Sequence, residues 1–116
     1  MVEEIMGART NFELRDAKGS VWLYSHWGGE TKADDLMAAL EKAQPRWDDP
    51  SYAMRIVVSQ LIGSDWESET GYGLSSYEYG EESYDPIIVN FATDLITYQD
   101  RDYSFQGFLN RALTNA

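Results

Sequence analysis

Strand-like and helix-like periodicities occupy separate stretches of this chain, and that segregation limits its fold more than any single motif does. Phe12 and Leu14, then Val21 and Leu23, alternate with polar or aromatic neighbours, the period-two pattern of strands with one buried face. Asp16-Ala17-Lys18-Gly19 lies between the two runs and reads as a tight turn, with Gly19 free to take a positive φ. A β-hairpin is therefore expected over residues 10–26, ended by His26-Trp27-Gly28-Gly29.

Helical spacing follows. Leu36, Met37, Leu40 and Ala43 predict a helix over 32–44, with Thr31 as its N-cap, Asp34 and Asp35 in its first turn, and Pro45 as its stop. Asp49-Pro50 opens a second helix, Asp49 capping and Pro50 at the first helical position. It carries Met54, Val57, Val58 and Leu61 on one face and ends at Gly63. Its apolar arc is wide, so it is expected to be the most buried element.

Beyond Gly63 the pattern returns to strands. Residues 74–79 read as one strand, Pro86–Phe91 as another, and Leu95–Tyr98 as its continuation or partner. Phe105, Phe108, Leu109 and Ala112 predict a closing helix over 104–113. The order ββααβββα, with strands and helices segregated rather than alternating, argues an α+β fold. An antiparallel sheet, built from the N-terminal hairpin and the C-terminal strands, packs on two or three helices. Residues 10–116 make one globular domain, and residues 1–9, which carry no apolar pattern, are expected to be a flexible N-terminus.

Composition narrows the chemistry. The 116 residues contain no cysteine and a single histidine, which removes thiol catalysis, disulfide frameworks and thiolate zinc sites. No apolar run reaches the ~18 residues of a membrane span, and the first ten residues lack a signal-peptide core. The expectation is a soluble, acidic, cytoplasmic protein. Its net charge of −11 is unevenly placed, because residues 56–100 hold nine carboxylates and no Lys or Arg. Such a field repels phosphate backbones and attracts basic surfaces, so a protein partner with a basic surface is favoured over direct nucleic-acid binding, and no membrane partner is expected.

No motif defines a reaction. Asp65-Trp66-Glu67-Ser68-Glu69 spaces carboxylates like the start of a calcium loop. Thr70 and Ser76 stand where an EF-hand needs glycine and a bidentate glutamate, so that loop is excluded. Gly71-Tyr72-Gly73 lacks the preceding strand, third glycine and following helix of a phosphate loop. No serine sits in a nucleophile context, and one histidine gives no triad. No catalytic residue, metal or cofactor is assigned, and the reading leans away from an enzyme. Arg55 is the best basic candidate for a half-buried bidentate pair with a carboxylate.

The aromatic residues carry more. Trp66, Tyr72, Tyr77, Tyr79 and Tyr84 accompany Glu67, Glu69, Glu78, Glu81 and Glu82, and Tyr and Trp are the residues that anchor interfaces. These ten form the candidate binding surface. The alternative is a small enzyme or ligand-binding domain, with a pocket formed by His26, Trp27, Glu30 and Asp65 where the loop of residues 65–72 meets the hairpin end. A third reading is a self-associating virion or assembly component.

Leu23-Tyr24-Ser25-His26-Trp27-Gly28-Gly29-Glu30, Arg46-Trp47-Asp48-Asp49 with Tyr52 and Arg55, and Glu69-Thr70-Gly71-Tyr72-Gly73-Leu74-Ser75 together resemble small acidic phage and prophage proteins of unknown function, mainly of actinobacterial hosts. That resemblance implies a phage source and, by association, a protein that binds a host or phage factor. It carries over no reaction. The resulting expectation is non-catalytic binding through an acidic, aromatic surface around residues 65–85, one version being a nucleic-acid mimic whose binding weakens steeply with salt.

Overall fold

A computed structural model describes residues 8–80 and 84–115, with side chains through Asn110. The described elements are β1 (Thr10–Asp16), β2 (Gly19–Ser25), α1 (Lys32–Lys42), α2 (Pro50–Ile62), β3 (Tyr72–Ser75), β4 (Ile87–Asn90), β5 (Leu95–Tyr98), β6 (Arg101–Ser104) and α3 (Phe105–Asn115). Short 3₁₀ turns at Gln44–Arg46 and Gly63–Asp65 follow the first two helices. The fold is α+β, and the described residues form three helices and one six-stranded sheet of order β3-β2-β1-β4-β5-β6.

The hairpin forms as the sequence requires. Asp16 Oδ1 accepts from the N–H groups of Lys18 and Gly19 at 2.8 and 3.1 Å, and Gly19 takes φ 156°. Asp16 therefore pairs with Gly19 across a two-residue loop. The expectation of an antiparallel sheet is corrected, because β1 and β4 run parallel, with Phe12 opposite Ile87 and Leu14 opposite Val89. The chain leaves β3 at one edge and returns beside β1, and such a crossover makes the two strands parallel. The expected order also gains a strand, β6, and β3 lies at 72–75 rather than 74–79.

All three helices cover one face of the sheet. Phe12, Leu14, Leu23, Ile87, Val89 and Ile96 from the strands meet Leu36, Leu40, Val57, Val58, Phe105 and Phe108 from the helices, and all are buried. The most buried element is β1, not α2: five consecutive residues, Thr10–Leu14, are buried. Central strands are enclosed by neighbours on both sides, whereas α2 turns Tyr52 and Arg55 to solvent.

The expected caps take another form. Neither Thr31 nor Asp49 makes a side-chain cap. Thr31 Oγ1 instead donates to Asp35 Oδ2 at 2.8 Å, and the Asp49 carbonyl accepts from Ala53 N–H. The bidentate pair forms elsewhere too. Arg55 is exposed, while Arg15 Nε and Nη2 donate to Glu13 at 2.9 Å each. The Ser20 hydroxyl adds a third bond to that buried carboxylate, on the sheet face without helices.

Candidate functional site

The helix-free face is shaped by register. Leu23 opposes Phe12 and Leu74 on the helix side, so Trp22, Tyr24, Gly73 and Ser75 point the other way. Beyond Ser75 the chain leaves the edge. The Ser75 hydroxyl donates to the Tyr77 carbonyl at 2.6 Å, and Asn11 Nδ2 on β1 donates to the Tyr79 carbonyl at 3.1 Å. Residues 77–80 thus cross β2 as a strap over the open face.

A groove of about 670 Å³ remains between that strap and the end of the hairpin. Its lining is Tyr24, His26, Trp27, Thr70, Gly71, Tyr72, Gly73, Leu74, Ser75, Tyr77 and Tyr79, with no Asp, Glu, Lys or Arg. The rings are interlocked: Tyr24 and Tyr79 meet edge to face at 5.1 Å, and His26 stands nearly perpendicular to Trp27 at 4.3 Å. The Tyr24 hydroxyl lies 2.7 Å from His26 Nδ1. Gly71, at φ 100°, admits the turn into β3 while its carbonyl accepts from His26 N–H at 2.9 Å.

Burial acts on two of the phenols. It raises the Tyr24 pKa, against Arg9 and with Tyr79 adding. It also raises that of Tyr72, with Asp65 and Asp35 adding to the effect and the Ser25 hydroxyl opposing it. The groove thus offers hydroxyl donors and ring faces without formal charge, while Glu67, Glu69 and Glu78 stand exposed on the same segment. On the other side of β3, a smaller cavity of about 130 Å³ is lined by Ile62, Asp65, Trp66, Ser68, Tyr72 and Leu74. Trp66 is 51% and Leu74 52% exposed.

The structure brings together residues from both expected sites. Tyr72, Tyr77 and Tyr79 share the groove with His26 and Trp27. Asp65 and Trp66 line the cavity across β3. Glu30 and Tyr84 lie apart, bonded to each other at 3.3 Å and lining a third cavity with Lys32 and Asp85. Glu81 and Glu82 lie outside the described residues. The four groups His26, Trp27, Glu30 and Asp65 therefore do not share one cavity. Among the described residues, no three His, Asp or Glu side chains gather as a metal ion requires. No helix there is long and apolar enough to cross a membrane.

Sequence reasoning missed Tyr24, Gly73, Leu74 and Asn11. Tyr24 carried a signal, since it alternates with the buried Leu23 and so faces away from the core. The other three needed the pairing of β3 with β2 and the course of the strap. No protein-family model, curated protein or solved structure matches this chain.

Proposed function

We propose that this protein acts by non-catalytic binding of a protein with a basic surface, a host or phage factor, in the cytoplasm. The observation that carries the reading is the uncharged groove of Tyr24, His26, Trp27, Tyr72, Tyr77 and Tyr79. Its Tyr72, Tyr77 and Tyr79 belong to residues 56–100, which hold nine carboxylates and no Lys or Arg. Aromatic rings fixed by neighbouring rings lose little entropy on docking and supply contact area. The surrounding carboxylates raise the encounter rate with a cationic partner and reject anionic ones. The concavity favours a groove that receives part of its partner over a nucleic-acid mimic, whose carboxylates must follow a phosphate path.

A capture experiment from bacterial lysate tests this, comparing the native chain with Glu67→Lys/Glu69→Lys/Glu78→Lys and with Tyr77→Ala/Tyr79→Ala. A protein retained by the native chain and released by both variants is the expected result, with retention falling between 0.05 and 0.5 M salt. A protein held equally by all three chains refutes the assignment of the surface.

A further inference from the structure

We infer that the partner binds as an added strand on the free edge of β3, presented as an extended segment in which basic residues alternate with apolar ones. This rests on the binding function proposed above and specifies its mode. In an antiparallel pair, facing residues alternate between hydrogen-bonded and non-bonded positions. His26 N–H donates to the Gly71 carbonyl, and the same register places Tyr24 opposite Gly73 and Trp22 opposite Ser75. Gly71, Gly73 and Ser75 therefore turn their backbone groups toward β2. Tyr72 and Leu74 turn theirs outward, from the edge strand of the sheet. Among the described residues, no other backbone segment bonds to them.

Sheet edges are commonly blunted by Lys, Pro or a covering element. Tyr72-Gly73-Leu74-Ser75 has none of these residues, and the chain departs over the open face after Ser75 rather than along the edge. The opposite edge differs, since β6 carries Arg101 and runs directly into α3.

Strand addition draws affinity from main-chain bonds and selectivity from pockets for alternate side chains, and β3 has a cavity on each side. The tyrosine-lined groove has no charged lining and suits apolar side chains. The cavity across the strand sets Trp66 beside Asp65, a ring face and a carboxylate for a Lys or Arg. Charge argues against a second copy as the occupant, because it would bring two such acidic edges together.

The probe is acetyl-Lys-Val-Lys-Val-Lys-Val-amide, with acetyl-Glu-Val-Glu-Val-Glu-Val-amide as control. Binding is followed by tryptophan fluorescence, and amide exchange is read residue by residue. The basic peptide is expected to bind, the acidic one not, and exchange at Tyr72 and Leu74 is expected to slow. N-methylating the peptide at alternate positions is expected to weaken binding about tenfold or more in one register and little in the other, since only one set of N–H groups faces the edge. Leu74→Pro removes an outward N–H and no bond to β2, and is expected to weaken binding similarly.

Basic-peptide binding that survives both N-methylation registers, or that protects β6 instead, overturns strand addition while leaving a basic-partner function in place. Absence of binding by the basic peptide, or equal binding of both peptides, overturns the basic partner as well. Should Leu74→Pro unfold, the N-methylated peptides still decide the question on the native chain.

Discussion

Gly29 lies where three segments converge, and replacing it with alanine tests how closely Ala8 and Tyr84 pack against the turn after β2. An added Cβ would stand 2.7 Å from Tyr84 Cγ and 2.9 Å from the Ala8 carbonyl oxygen, well inside van der Waals contact. Neither neighbour yields easily. Gly29 N–H donates to Ala8 O at 2.8 Å, Tyr84 N–H donates to Arg9 O at 3.1 Å, and the Tyr84 hydroxyl donates to Glu30 at 3.3 Å. Overpacking of this kind costs about 1–3 kcal/mol. The reduced freedom of the unfolded chain returns about 0.4–1 kcal/mol, leaving a net loss of about 1–2 kcal/mol. For a domain of this size that corresponds to a Tm fall of roughly 4–8 °C. Gly73→Ala is the internal control, because its Cβ meets nothing within 4 Å and the unfolded-state effect then leaves stability unchanged or slightly raised. Thermal unfolding followed by circular dichroism reads both. A Gly29→Ala Tm at or above the native value, or an equal fall in Gly73→Ala, refutes this account of the packing.

The β5–β6 loop places Gln99 at φ 53° and Asp100 at φ 64° between the paired residues Tyr98 and Arg101, a turn that favours Asn-Gly. Gln99→Asn/Asp100→Gly should therefore raise the urea midpoint by the equivalent of about 1 kcal/mol, and an unchanged midpoint would contradict the strain. Trp47 Nε1 donates to the Leu40 carbonyl at 2.9 Å, so Trp47→Phe should cost about 1–2 kcal/mol in chemical unfolding; no loss would show the bond to be idle. Tyr24 and Tyr72 have folded pKa values raised above the ordinary 10.0. The folded state thus holds its protons longer, so stability is full below pH ~10 and falls as pH rises through the folded values. Urea midpoints at pH 9 and 11 should show that fall, and it should be smaller in Tyr72→Phe; a rise between those pH values would reverse the sign of the argument.

Much of the fold was legible because its signals are local. Asp16 and Gly19 close their turn with their own backbone and carboxylate, and the spacing from Leu36 to Ala43 and from Met54 to Leu61 needs no distant partner to read as helical. What escaped depends on pairing between remote segments. Strand β6 reads Arg-Asp-Tyr-Ser and follows a turn with neither Gly nor Asn at its left-handed positions, so neither alternation nor turn chemistry announces it. The parallel pairing of β1 with β4 follows from the crossover between β3 and β4, whose described residues form no helix and so offer no periodicity to detect. The candidate site divides the same way. Its aromatic and acidic composition is visible in the sequence, whereas the union of Tyr77 and Tyr79 with Tyr24, His26 and Trp27 comes from the Asn11 bond that draws the strap over β2.

Gly73→Val decides whether the groove beside β3 receives a basic polypeptide. Gly73 faces the groove opposite Tyr24, has open space where a Cβ would lie, and occupies a strand that valine suits. Calorimetric titration of the native and variant proteins with acetyl-Lys-Val-Lys-Val-Lys-Val-amide, at matched Tm, makes the comparison. The variant is expected to remain folded and to lose affinity about tenfold or more, a gap of roughly 1.4 kcal/mol. Equal affinity in the two proteins would contradict it and place binding elsewhere on the acidic surface.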